Sequence, residues 1–332
     1  MSDYEKLAGL ELAIDGYTTE RRSIDVSSAF TRVTTTVVLS GDGVQGRGED
    51  VTYEATEHDG FPTELPLAGR QTLDEYSRRL DEHAEVLPDY RRWAFESAAL
   101  DLALRQAGRS LGDAVGREYR PLRFVVSTRE DTAPWRVHYP GIEFKIDPEV
   151  DWPREKMEEL AGTDSIRVAD LKGYYRGTVV DVPADPRLYT DVVEVFRDAV
   201  IEDAFLNDET REVLRPAFDR LSFDAPIHSL DDVRALELEP RFLNIKPSRF
   251  GSCRRLFETL AFCEERGMTM YGGGQFELGV GRDHIQALAS LYYADSPNDV
   301  APSEYNVPPP RPGLPTSPLE PGERPLGLAF KG

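Results

Sequence analysis

Six lysines stand against thirty-three arginines in this chain. Three of the six, Lys145 in IEFKIDP, Lys172 in VADLKGYY and Lys246 in FLNIKPS, lie in or just after short apolar runs. Arginine stays protonated in a protein, whereas a buried lysine can lose its proton. A sequence that writes Arg almost everywhere else therefore marks these three lysines for a chemical role. Carboxylates recur at matching places: Asp170 closes SIRVAD, Glu202 lies in DAVIEDAF and Asp224 in RLSFDA. Lys145 and Lys246 flank them, and Glu277 follows MTMYGGG. The steps from Lys145 through Asp170, Glu202, Asp224 and Lys246 to Glu277 are 25, 32, 22, 22 and 31 residues, about one strand-plus-helix unit each. Three oxygen ligands without His or Cys favour Mg²⁺, which keeps positions open for substrate oxygens. The five histidines, at 58, 83, 138, 228 and 284, show no metal-ligand spacing. Singly, each of these residues reads as a helix cap, a salt-bridge partner or a snorkelling lysine; their order along the chain is what points to one pocket.

Such an order needs a parallel sheet. After Pro121 short apolar runs recur as RFVVST, GIEFKI, SIRVADL, DAVIEDAF, RLSFDA, RFLNIKPS and MTMYGGG. Amphipathic stretches at 153–161, 187–197, 229–236 and 252–266 separate most of them. Alternating strand and helix predicts a compact TIM-type (β/α) barrel over 121–300, with chemistry at the C-terminal strand ends. Before it, AFTRVTTTVVLS and VQGRGEDVTYEA read as strands joined at GDG, and 71–84 and 89–107 read as helices, the second capped at Asp89. Residues 1–120 thus form an α+β domain, and 301–332 a Pro-rich tail laid on the surface. GDGVQGRG satisfies G-x-G-x-x-G, but a strand follows instead of the helix that a dinucleotide site needs.

The composition narrows the partners. In 332 residues, 60 acidic groups against 39 basic ones give a net charge of −21, which repels nucleic acid and anionic membranes. No apolar run approaches a membrane span and no basic-then-apolar leader opens the chain, so a soluble cytoplasmic protein, expected as a homo-oligomer, follows. Cys253 and Cys263 fall on one predicted helix roughly 15 Å apart, too far to bridge, and read as reduced packing residues.

Taken together, several of these segments resemble one family. GDGVQGRGED is similar to the capping-domain strand turn of the enolase superfamily, AFESAALDLALRQAGRSLGDAVG to its capping helix, and IKPSRFGS to its sixth-strand lysine motif. YGGGQFELGVGRDHIQALASL and SPNDVAPSEY look most like the branch of muconate-lactonizing enzymes, o-succinylbenzoate synthases and N-acylamino acid racemases. The resemblance implies Asp170, Glu202 and Asp224 as Mg²⁺ ligands, with Lys145 and Lys246 facing each other across a small-molecule carboxylate. It implies abstraction of the proton α to that carboxylate through an enediolate, with dehydration or cycloisomerisation as the favoured outcome. Racemisation of an N-acyl amino acid or dipeptide is the alternative, and a non-catalytic relative that kept the fold is the second. Lys172, Gly273 and Glu277 are the expected substrate contacts, and loops 14–30 and 50–63 the specificity elements.

The departures from the family pattern are as specific. The second-strand K-x-K is Glu143-Phe144-Lys145, the third strand has Lys172 where Asn is usual, and the fourth and fifth read Glu202-Asp203-Ala204 and Asp224-Ala225. GYYRGTVVDVPADP is an insertion-like loop on the expected active-site face. On an extended strand Lys172 would share the side of Asp170, with Asp203 or an acidic group of the substrate as its partner.

Overall fold

The computed structural model describes residues 2–331 except Ser28, Ala29, Glu130, Val179 and Pro308. Helix α1 (Asp3–Ala8), closed by a capping box from Ser2, leads into β1 (Glu11–Ile14). Strands β2 (Gly16–Ser27), β3 (Phe30–Gly41) and β4 (Val44–Asp50) form an antiparallel sheet, and β1 pairs with β5 (Gly69–Thr72). The hairpin expected at GDG forms, with positive φ at Asp42 (49°) and Gly43 (78°), the backbone that a tight two-residue turn requires. Most of the span expected as a loop at 14–30 is the long strand β2. It lies at a sheet edge with residues 18–26 exposed, so no apolar alternation announces it.

Helix α3 (Asp89–Gln106) packs against the antiparallel sheet of β2, β3 and β4, and α2 (Leu73–Asp81) packs against α3 and β5. The N-cap of α3 is Pro88; Asp89, the expected cap, turns instead to His228 and Arg255. The glycines of GDGVQGRG have a packing reason. A Cβ on Gly46 would lie 2.3 Å from the Ala98 carbonyl, and one on Gly48 2.0 Å from that of Ala94. They let β4 touch the backbone of α3, a role unrelated to phosphate binding.

Past the short α4 (Leu111–Val115), all seven expected runs become strands: β6 (Val126–Thr128), β7 (Phe144–Ile146), β8 (Ile166–Asp170), β9 (Val200–Glu202), β10 (Leu221–Phe223), β11 (Phe242–Ile245) and β12 (Thr269–Gly272). They pair in parallel in chain order. The two edges meet through one short segment: Val125 N–H donates to Asn298 O, and Asp299 N–H to Gly272 O, both at 2.8 Å. That segment stands where an eighth strand would close the barrel. The crossovers carry α5 (Ala133–His138), α6 (Arg154–Ala161), α7 (Pro186–Val195), α8 (Asp208–Leu214), α9 (Leu230–Ala235), α10 (Pro247–Phe250) and α11 (Cys253–Glu265), and α12 (Gly281–Tyr292) follows β12. Cys253 and Cys263 are buried free thiols at the two ends of α11. No helix among the described residues is long and apolar enough to cross a membrane.

Two buried side chains tie the N-terminal domain to the barrel. Glu49 accepts the backbone N–H groups of Leu278, Gly279 and Gly281 at 2.7–2.8 Å. Arg32 donates to the carbonyls of Val51, Thr52, Gln275 and Phe276.

Candidate active site

Side chains two apart on a strand share a face, which places Val168 below Asp170, Val200 below Glu202, Ser222 below Asp224 and Asn244 below Lys246. The lower positions include a small apolar cluster of Val168, Val200 and Tyr271. The upper ones form a charged layer in which Asp170, Glu202, Asp224, Lys145 and Lys246 are all buried. Lys145 Nζ lies 2.5 Å from Glu202 Oε1, 2.9 Å from Asp170 Oδ2 and 3.8 Å from Asp299 Oδ2. Glu202 also accepts from Tyr271 O–H at 2.5 Å and Asn244 Nδ2 at 3.2 Å.

Opposite Lys145, Asp224 is the centre of a second group. Lys246 Nζ is 2.9 Å from Asp224 Oδ2, and Arg249 Nη1 donates to Asp224 Oδ1 at 2.7 Å. Tyr175, from the insertion-like loop, donates its hydroxyl to Asp224 and accepts from Arg249, each at 2.8 Å. The loop therefore reaches the charged layer itself.

Lys172 does not extend β8. The strand ends at Asp170 and Lys172 adopts a positive φ of 52°, so strand alternation is not what aims it. Its side chain folds back onto Asp170 Oδ2, while its own N–H donates to Oδ1 of the same carboxylate. Asp147 Oδ1 lies 3.7 Å from Nζ. Asp203, the protein partner expected for Lys172, is engaged elsewhere. Its carboxylate accepts the N–H groups of Asp224 and Ala225 at 2.8 and 2.9 Å.

Of the other expected substrate contacts, Gly273 borders the site. A Cβ there would lie 2.4 Å from Asn244 Oδ1 and 2.7 Å from Lys246 Cε. Glu277 is turned away from the carboxylates, pairing with Arg282 at 3.0 Å and accepting from Gln275 N–H.

Burial and mutual repulsion split the acids. Burial, then the carboxylates of Asp170 and Asp224, push Glu202 up to about 8 despite Lys145. Burial followed by Asp224 and Asp170 lifts Asp203 to about 7. For Asp170 burial works in the same sense, but Lys145 and Lys172 overcome it and hold the group far below the carboxylate range. Arg249 and Lys246 do the same for Asp224. Burial would lower both Lys145 and Lys246; the carboxylates outweigh it and keep each ammonium charged well above its ordinary range.

Asp170, Glu202 and Asp203 each bring a carboxylate oxygen within 4.8 Å of the others, and among the described residues this is the trio spaced for a metal ion. Three buried oxygens with no soft ligand fit a hard divalent cation. Asp224 lies outside that trio, held by Arg249, Lys246 and Tyr175. Asp203 joins the layer as a member of that trio and not as the partner of Lys172, and Arg249, Tyr175 and Asp299 join it although the sequence alone does not place them among the site residues. Arg249 stands three residues after Lys246, inside the sixth-strand lysine motif, and is the most findable of them.

The geometry can be set beside known proteins. Residues 5–114 and 118–307 match the N- and C-terminal domains of the family described as domain of unknown function DUF8230. The chain belongs to that family. It is also 26% identical to an o-succinylbenzoate synthase of Enterococcus faecalis, over 81% of this chain and 78% of the relative. Identity to an N-succinylamino acid racemase of Thermus thermophilus is 27%, over 79% and 76%. Among solved structures, an unknown member of the enolase superfamily from Enterococcus faecalis superposes with a TM-score of 0.68 at 22% identity, covering 89% of this chain and 87% of the other. A dipeptide epimerase from Methylococcus capsulatus, complexed with Mg, gives 0.70 at 18% identity, covering 96% and 99%. The fold is thus the enolase-superfamily barrel with its N-terminal domain, and the relatives by sequence are a synthase and a racemase.

Proposed function

We propose that this protein abstracts the proton α to a carboxylate in a small molecule and passes through an enediolate, with dehydration or cycloisomerisation as the outcome. One observation carries the reading: Lys145 and Lys246 stand on β7 and just past β11, on either side of the carboxylates that end β8, β9 and β10. Asp170 and Glu202, with Asp203 or Asp224, would hold a divalent cation, for which Mg²⁺ is the hard-ligand choice. Such a cation would supply positive charge toward the substrate's carboxylate oxygens and would offset the carboxylate field that keeps the lysines protonated. Lys145, once neutral, accepts the α-proton. Lys246 holds its charge toward the oxyanion and is kept in place by Asp224. The absent side chain at Gly273 lets the stem of Lys246 pass close to the backbone, where a Cβ would meet Lys246 Cε at 2.7 Å.

Racemisation is the second reading, and the N-succinylamino acid racemase relative favours it. It requires both lysines to exchange protons, one on each face of the α-carbon. Incubating the Mg²⁺-loaded protein with a library of N-acyl amino acids, dipeptides and hydroxy acids in D₂O tests both. Deuterium at Cα with retained chirality, or loss of water, supports the synthase-like outcome; deuterium with inversion supports the racemase. Absence of exchange across the library, with folded protein, would leave a carboxylate-binding relative without the reaction.

A further inference from the structure

Lys172 is left over by that mechanism, because it neither flanks the carboxylates as Lys145 and Lys246 do nor faces solvent. The chain takes a left-handed backbone at this non-glycine residue, a conformation that the surrounding contacts must hold. They do. Gly173 N–H donates to Asp203 O at 2.9 Å, and Lys172 N–H to Asp170 Oδ1 at 3.1 Å. The result is a clasp in which one residue closes on both oxygens of one carboxylate, by its amide on Oδ1 and its ammonium on Oδ2. Asp147 supports it from behind. Its Oδ2 is taken by Arg129 at 3.0 Å, while its buried Oδ1 has no hydrogen bond among the described residues and lies 3.7 Å from the ammonium.

The clasped carboxylate belongs to the trio spaced for a metal ion. Asp170 Oδ2 also receives Lys145, so a divalent cation on that oxygen would meet two ammonium groups. With metal–oxygen bonds of about 2.1 Å, the ion and an ammonium on the same oxygen would sit only roughly 4 Å apart. Like charges at that distance in a buried site repel strongly unless one of them moves. Lys145 is fixed between Asp170 and Glu202. Lys172 has a place to go, because Asp147 Oδ1 lies 3.7 Å from its ammonium.

We infer that the Lys172 ammonium is the displaceable cation on Asp170, and that a divalent ion reaches that carboxylate only by displacing it toward Asp147. The inference rests on the proposal that Asp170 and Glu202 are metal ligands. Lys172 is then a gatekeeper of metal affinity, and metal is needed for chemistry but dispensable for holding the site together.

Titration calorimetry of the EDTA-stripped full chain with MgCl₂ and with MnCl₂ tests this, alongside thermal midpoints. Lys172→Met is expected to bind either ion at least about tenfold more tightly than the unaltered chain, since a competing charge is gone. Lys172→Arg, which keeps a cation, is expected to stay weak. In EDTA the Met variant should melt below the unaltered chain and recover with Mg²⁺, whereas the unaltered chain should shift little. Should the Met variant fail to fold, Lys172→Gln, which can still donate to Asp170, takes its place with the same expectation. Equal, tight affinity in the unaltered chain and the neutral variants overturns the inference and leaves the proposed chemistry standing. Absence of binding in all of them overturns it too, and removes the metal from the proposed reaction as well.

Discussion

Lys145 is the side chain on which proton abstraction turns, and its burial between Asp170 and Glu202 sets what its removal does. Lys145→Ala and Lys145→Arg should both lower α-deuterium exchange by a factor on the order of 10³, since Arg cannot act as the base. An active Arg variant would exclude Lys145 from that role. The Ala variant should also lose stability, about 3 kcal/mol by denaturant unfolding in EDTA, because the ammonium that Asp170 and Glu202 share is gone from a buried site. Acid–base linkage gives a second residue-scale test. Glu202 and Asp203 titrate at about 8 and about 7 in the folded chain, above the unfolded value of about 4. A carboxyl shifted this way binds its proton more tightly when folded, so its contribution is full at acid pH and is lost as pH rises through the folded value. Asp170 and Asp224 are shifted downward, and their contribution is present above the unfolded value and lost only in strong acid. Between pH of about 4 and about 8 the raised pair lowers stability as pH rises, in the same sense as Glu49, Glu96 and Asp299, which burial also raises, and against buried His284, which burial lowers. The thermal midpoint in EDTA should fall as pH is raised across that window, and Asp203→Asn should flatten the fall. A midpoint that rises there would contradict the assignment.

Elements are legible wherever burial imposes a pattern. The seven barrel strands are short apolar runs because both faces are covered, one by helices and one by the barrel interior, and each run reads as a strand. The order of the charged residues at their ends follows from that rhythm alone. Strand β2 is not legible, because an exposed edge strand has no buried face to write. Nor can the contacts of Lys172 be read, because strand alternation fails once φ turns positive at the strand end. Tyr175 and Arg249 meet at Asp224 from 74 residues apart, and nothing local in either segment encodes that meeting. The segment 275–281 shows the same limit, since it is held from the other domain. Glu49 satisfies three of its backbone N–H groups with one buried carboxylate. Glu49→Ala would leave those donors unpaired, at about 1–3 kcal/mol for each buried group. Hydrogen exchange at Leu278, Gly279 and Gly281 is expected to accelerate by more than about tenfold in this variant, with the barrel strands still protected. Unchanged protection there would mean that other contacts hold the segment.

At the scale of the whole molecule, the C-terminal stretch has more than a surface role. The Pro-rich segment after Ala301 is expected as a tail laid on the surface; in the structure Leu319 bridges to Leu122. Further on, Leu328 and Phe330 enter the core. Both are fully buried, and the backbone is tied at both ends of that step. Leu328 N–H donates to Asp101 on α3 at 2.8 Å, and Phe330 N–H to Asp283 on α12 at 3.1 Å. One helix belongs to the N-terminal domain and the other to the barrel, so the tail staples together the two bodies that Arg32 and Glu49 also join. Gly327 makes the staple possible: its φ is 71°, and a Cβ there would lie 2.1 Å from Asp101 Oδ1. A charged layer assembled under a capping domain needs that domain held firmly, and a cavity in the staple should be felt by the whole fold. Phe330→Ala removes a buried ring where little can collapse into its place, so a loss of about 3–5 kcal/mol is expected. Denaturant unfolding should show it as a lower midpoint with a single transition, because both domains share the staple. If the variant instead unfolded in two steps, with the barrel transition unmoved, the tail would be an accessory of the N-terminal domain alone.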